Sequence, residues 1–358
     1  MNKIRLGIIG CGIMSENHAK GYQELTDQMI VTATADIVLE RAQNMADSIG
    51  EVGVVVTDYR DLLDHVDAVL IALPHDLHYE VSSYFLNAGK HVLVEKPLAL
   101  NEQQCLELID TSKQTGNVLM TAYPMRFHPL VVKMKELIDN KVYGELFQIS
   151  MWTEQFTRYE PGHWALSADR LGGGQFFSHG CHYVDLLLWI MGRPVKGVHM
   201  GTNKGTPWME KEGTSHVTIE FESGAIGYHA GTWGARGTKL GWSFHAHCTD
   251  GMIEFNYGEN KLVIHKNLLK EDRPDSQEPG LEVIMELEGG GKYTFHEIRH
   301  FLNCIQNGES PLTDGPSSLQ GLRVIWRMYE AERQGIIADL RGLGLDEEWK
   351  PVTQPHVV

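Results

Sequence analysis

Through its first third the chain alternates short apolar runs with stretches of helical periodicity, and that alternation constrains the fold more than any single motif. Residues 4–9, 30–35, 54–57, 68–73, 91–94 and 119–122 read as strands, and 14–25, 38–49, 77–88 and 101–115 as helices. The run AVLIAL at 68–73 is apolar at every position, as a strand covered on both faces must be. Strands separated by helices cannot be joined as hairpins, so the sheet is parallel and doubly wound.

From about Tyr143 the periodicity changes. The runs 145–152, 214–222, 225–233, 242–248, 251–256 and 261–266 alternate with period two and are joined by turns such as ESGA and YGEN. This pattern predicts a large open, mainly antiparallel sheet with one face solvated. One helix is expected over 175–191 and two more near 294–306 and 316–334, with an exposed loop at 270–280. A chain of 358 residues exceeds what one core usually serves. We therefore expect a dinucleotide-binding unit over 1–122 and an α+β unit over 123–358 whose closing helices can pack back on the first.

A net charge of −16 argues against nucleic acid and anionic membranes as partners. The five cysteines are odd in number and form no C-x-x-C pair, as expected of free thiols in a reducing compartment. No run reaches 18 apolar residues, and the apolar N-terminus lacks a cleavage site, so a cytoplasmic location is expected.

The first strand runs into Gly10-Cys11-Gly12-Ile13-Met14-Ser15 and then a helix. Gly10 suits a tight turn and Gly12 a close approach of backbone to a pyrophosphate. Asp36 closes the next strand, where a carboxylate binds ribose hydroxyls and repels a 2′-phosphate. NAD is expected over NADP, although Arg41 softens the discrimination. Ser15 replaces the usual third small residue. Farther on, the strand HVLV ends in Glu95-Lys96-Pro97, which places Lys96 at the crevice beyond the carboxyl ends of the strands.

With GCGIMS, Asp36, DAVLIALPHDLHYE, GKHVLVEKP, MRFHP, YGEL, GGGQFFSHGCHYVD and DGMIEFN in order, the chain resembles the Gfo/Idh/MocA oxidoreductases over nearly its whole length. The family includes inositol dehydrogenases and glucose–fructose oxidoreductase. The resemblance implies an N-terminal Rossmann domain and a C-terminal sheet that often mediates homodimers or homotetramers. It also implies oxidation or reduction of a sugar or cyclitol hydroxyl. Carried onto this chain, the cofactor contacts are Gly10, Gly12, Ile13, Met14, Asp36, Leu73, Pro74, His78, Glu95, Lys96 and Arg126.

In GGGQFFSHGCHYVD, a continuous helix from Gln175 puts Ser178, His182 and Asp185 on one face, with His179 offset by about 100°. His182 suits the removal of a hydroxyl proton, and Lys96 the stabilisation of the developing alkoxide. The alternative for His182 is a satisfied core histidine. Many relatives carry Asp four residues before this histidine; here it is Ser178, leaving His179 or Asp185 as helpers, or Asp185 as a structural residue. A metal is not expected, because adjacent helix positions cannot easily face one ion.

The stretch 152–170 offers Trp152, Arg158, Tyr159, His163, Trp164 and Arg170 as sugar contacts, or as an ordered surface loop. Trp233 and Arg236 are further candidates, and His245 and His247 share one strand face. The expected activity is NAD-dependent hydride transfer at a sugar or cyclitol carbon. The alternatives are a lyase or glycosidase that oxidises a hydroxyl transiently, and a non-catalytic NAD sensor, against which Lys96 and His182 argue.

Overall fold

A computed structural model describes residues 3–266 and 280–345. The loop expected at 270–280 therefore lies almost wholly outside the described residues. Six parallel strands form the first sheet: β1 (Ile4–Ile9), β2 (Met29–Ala35), β3 (Val54–Val56), β4 (Ala68–Ile71), β5 (His91–Glu95) and β6 (Leu119–Ala122). Their order, β3-β2-β1-β4-β5-β6, reverses direction between β1 and β4. That switch opens a crevice at the carboxyl ends of the strands. The connecting helices are α1 (Ile13–Ala19), α2 (Leu39–Ile49), α3 (His78–Asn87) and α4 (Glu102–Thr115).

After α5 (Pro129–Asp139) comes a second sheet of nine strands: β7 (Leu146–Glu154), β8 (Pro194–Thr202), β9 (Thr214–Phe221), β10 (Ile226–Thr232), β11 (Trp242–Cys248), β12 (Gly251–Asn256), β13 (Lys261–Lys266), β14 (Gly280–Glu286) and β15 (Ala338–Asp339). Every pairing is antiparallel except β7 with β10. The described helices between and after these strands are α6 (Ala168–Leu171), α7 (Gln175–Ser178), α8 (Cys181–Met191), α9 (Thr294–Asn307) and α10 (Gly315–Gln334).

One hydrophobic core runs from one face of the parallel sheet through α10 and α8 to the inner face of the nine-stranded sheet. A second lies on the other face of the parallel sheet, where Ile298, Phe301 and Leu302 of α9 meet Leu6, Ile8 and Met120. The C-terminal helices thus complete the core of the N-terminal sheet, and the two units share buried surface.

Two local expectations change. The helix expected over 14–25 is cut short at Ala19, with a separate 3₁₀ turn at Tyr22–Leu25. The helix expected over 175–191 is broken into α7 and α8 at His179–Gly180. A Cβ at Gly180 would stand 2.5 Å from the Phe176 carbonyl oxygen, so this tight offset needs glycine.

Candidate active site

The crevice is built first by the turn after β1. Gly10 has φ of +83°, and a Cβ there would lie 2.3 Å from the Ala72 carbonyl oxygen of the neighbouring strand. Nothing lies within 4 Å of the position a Cβ would take at Gly12, so backbone is open to a ligand on that side. Ser15 turns its buried hydroxyl onto the Gly10 carbonyl, which satisfies it where a smaller residue would do. Asp36 accepts hydrogen bonds from the backbone N–H of Cys11 at 2.9 Å and of Val38 at 2.8 Å. Its carboxylate is thereby fixed at the mouth of the turn with lone pairs to spare. Ile13 and Ile37 flank the groove, 76% and 90% exposed, as apolar edges for a flat ring system. Leu73, two residues after β4, packs against Gly10, with Pro74 beside it. An open glycine turn, free backbone donors and an aimed carboxylate fit a dinucleotide.

Lys96 follows β5, and its Nζ donates to the Ser178 carbonyl oxygen at 3.0 Å. This contact brings the strand end to α7, one helical turn before His182. The Ser178 side chain makes no part of it, so serine serves as well as another residue in holding Lys96. His182 and His179 are both buried, with ring centroids 5.9 Å apart, and Tyr123 meets His182 edge-on at 5.6 Å. Burial first, and then the Lys96 charge at His182 and the Lys292 charge at His179, push the pKa of both imidazoles well below the usual histidine range. His182 is therefore a neutral base at neutral pH, and its buried Nδ1 has no hydrogen-bond partner among the described residues. His179 is held between Gln175, at 3.4 Å from its Nδ1, and the Trp242 ring, at 5.3 Å.

Below Lys96 lies a buried charged cluster that the sequence reading did not find. Glu95 contacts Nε2 of His18 at 2.9 Å. Burial opposes ionisation of Glu95, but His18, Lys96 and Lys292 outweigh it and hold the carboxyl down at about 2. Glu297, in the first turn of α9, is buried, and neither carboxyl oxygen makes a hydrogen bond of normal geometry among the described residues. Burial and the nearby Glu95 charge raise its pKa well above the carboxylate range. Lys292 comes from the turn before α9, with its Nζ 5.9 Å from the centroid of the Trp242 ring. A helix-opening Glu in HEIRHF was readable, but nothing local in GGGKY announced that Lys292 would reach this site.

Several predicted site residues stand elsewhere. Arg126 and Asp185 are 2% and 1% exposed and form a bidentate pair, with contacts of 2.6 Å and 2.5 Å. Arg126 also donates to the Leu312 carbonyl at 2.9 Å. Neither is free for cofactor or for His182: Arg126 is a cross-strut, and Asp185 is its counterion. His78 is fully buried, with its nitrogens 2.7 Å and 2.9 Å from the carbonyl oxygens of Pro97 and Leu73. It props the crevice wall through these two contacts.

The period of β7 turns Met151 and Thr153 toward α8 and sends Trp152 to the opposite face, against His245 and Tyr228. Trp152 thus lies outside the pocket, and His245 shares its face. Arg158 lies over Trp208, and His163 stacks on Tyr159 at 4.2 Å. Arg170 pairs with Asp76 at 3.0 Å, clamping the 152–170 segment to the N-terminal unit. Of that stretch, Trp164 approaches the site most usefully, edge-on to His75 at 4.8 Å. His75 in turn feels the Lys96 charge. Trp233 is buried 6.5 Å from His179, whereas Arg236 lies over the exposed Phe156. A cavity of about 290 Å³ lined by His91, Asn117 and Val118 opens at the amino ends of β5 and β6, away from this chemistry. Among the described residues no group of three His, Cys, Asp or Glu is arranged to hold a metal ion.

Comparison with known proteins places these features. The profile described as an oxidoreductase family with an NAD-binding Rossmann fold matches residues 4–123, and the C-terminal domain profile of the same family matches 131–254. An inositol 2-dehydrogenase/D-chiro-inositol 3-dehydrogenase of Lactiplantibacillus plantarum is 27% identical over 62% of each chain. The match thus spans less than two thirds of that relative's length. A D-xylose 1-dehydrogenase (NADP(+)) of Haloferax volcanii is 26% identical over 94% of this chain and 98% of its own. In fold, a solved levoglucosan dehydrogenase in complex with NADH and levoglucosan superposes with a TM-score of 0.84 at 21% identity, covering 95% of this chain and 99% of the other. Two consecutive profiles of one family, a Rossmann crevice shaped for NAD and a matching two-sheet fold lead to one conclusion: the chain belongs to the Gfo/Idh/MocA oxidoreductase family.

Proposed function

We propose that the chain oxidises a secondary hydroxyl of a sugar or cyclitol, with Lys96 and His182 as its catalytic residues. The observation that carries this reading is the junction of Lys96 with the α7–α8 segment, which sets an ammonium and a neutral imidazole at the carboxyl end of β5. In the reaction R₂CHOH and NAD⁺ give R₂CO, NADH and one proton. NAD, when bound, supplies the acceptor for two electrons and the hydrogen on carbon. Gly10, Gly12, Ile13 and Met14 would hold its pyrophosphate through backbone, and Asp36 its ribose. Lys96 donates to the substrate oxygen and stabilises the charge that develops there. His182 accepts the hydroxyl proton and passes it to solvent.

The reading assigns 1–122 to cofactor binding and 123–358 to substrate binding and self-association. A homodimer or homotetramer is supported by the outer face of the nine-stranded sheet, where Ile226 is exposed and Trp152 and Tyr228 are only partly buried among the described residues. Five free, buried cysteines support residence in a reducing compartment such as the cytoplasm. Among the described residues no helix is long and apolar enough to cross a membrane.

The test is a screen of sugars, inositols and their keto forms with NAD⁺ or NADH, following NADH absorbance and product together. Net NADH formation with a keto product is expected. Turnover to an elimination product without net NADH would replace this reading with transient oxidation.

A further inference from the structure

The Lys292 side chain has no role in the reaction just described, yet it stands in the same hollow. Its Nζ lies over Trp242, whose ring packs on His179. Lys292 lies close enough to Glu95, Lys96 and Glu297 for them to act on its charge, and its own charge reaches His179 and His182. Among the described residues no carboxylate lies within ion-pair distance of Nζ. Glu95 is engaged by His18, and burial favours the neutral acid at Glu297. Ser178 contributes no charge. The hollow therefore sets two ammonium groups and two neutral imidazoles above the single Glu95 carboxylate, which His18 already engages, and oxidised nicotinamide adds further positive charge. Half-buried Lys292 has no ion-pair partner among the described residues, and burial lowers its pKa although the Glu95 carboxylate opposes that shift. A ligand anion between Lys96 and Lys292 would give Lys292 the direct anionic partner it lacks, through charge-assisted hydrogen bonds.

We infer that Lys292 is a specificity residue that selects a substrate bearing a carboxylate, a sugar acid in place of a neutral sugar. The inference rests on the dehydrogenase reading above. Lys96 then takes the reacting oxygen and Lys292 the carboxylate, with the partly exposed Trp242 beside them.

The experiment compares D-glucose and myo-inositol with D-gluconate and D-glucuronate on NAD-loaded wild type, Lys292→Gln and Lys292→Arg. Two readouts are used, kcat/KM from NADH absorbance and calorimetric titration of each compound. In wild type a carboxylate compound is expected to exceed the neutral ones at least tenfold in kcat/KM or affinity. Lys292→Gln should cut that ratio at least tenfold, mostly through KM, and Lys292→Arg should keep most of it. A wild-type preference for neutral compounds, or an unchanged ratio in Lys292→Gln, overturns the inference. Tight carboxylate binding that depends on Lys292 but gives no NADH would uphold it while refuting the reaction.

Discussion

The Arg126–Asp185 pair separates a structural from a catalytic reading of α8. Asp185 lies three residues beyond His182, so a role as its helper is reasonable from sequence, yet the fold gives its carboxylate wholly to Arg126. Burial raises the pKa of Asp185 even beside the guanidinium, so the pair only partly offsets its desolvation. Removing one partner leaves the other charge buried alone, which costs about 3–5 kcal/mol. At roughly 2–4 °C per kcal/mol for a unit of this size, Asp185→Leu should lower Tm by about 6–20 °C. The double variant Arg126→Met/Asp185→Leu, apolar on both sides, should recover most of that loss, because it removes both charges together. Scanning calorimetry at two scan rates measures the shifts, and initial rates well below Tm measure turnover. If Asp185→Leu kept the wild-type Tm but lost a hundredfold or more in kcat, Asp185 would be part of the catalytic machinery and the strut reading would fall.

Other outcomes follow from the same geometry. Lys96→Ala and His182→Ala should each lower kcat/KM by about 10²–10⁴ with Tm and NAD affinity retained, as general acid–base and charge-stabilising roles require; near-normal rates in both would remove the proposed site. Asp36→Ala should weaken NAD binding about tenfold or more in calorimetry and narrow the gap to NADP; an unchanged NAD affinity would refute the ribose contact. Acid should destabilise the fold early. Buried His128 and His229 are pushed down to about 4 and 3, so the unfolded chain binds protons that the folded chain refuses. Their contribution is complete above pH 6.5 and falls away between pH 6.5 and those values. Below about pH 4.5 the Glu95–His18 contact weakens as Glu95 protonates toward its folded value of about 2. Denaturant midpoints that stay flat from pH 7 to 5 would contradict the burial of these histidines. Trp152→Ser should change oligomeric state in light scattering more than it changes KM for the sugar; the reverse would return Trp152 to the pocket.

The amino-acid order alone carried the parallel sheet, the glycine turn, Asp36, the position of Lys96 at a strand end and the switch to period-two strands. These depend on contacts within a strand, a turn or a few helical turns, so local residue type and spacing record them. Helix α5 was not among the expected helices, although Leu130, Val131, Met134, Leu137 and Ile138, all buried in the fold, stand at helical spacing. Edge strand β14 was harder, because most of its residues are partly or fully exposed and it has no clear buried face. Folding alone settled which polar groups meet. Lys96 meets Ser178 across 82 positions and Arg126 meets Asp185 across 59. Trp152 faces away from the pocket because strand register assigns its side, and Gly180 breaks a helix that periodicity would continue. Such pairings are chosen by packing and desolvation among distant segments, whose free energy no local window contains. For that reason the approach of Lys292 to Trp242 and His179 became visible only in three dimensions.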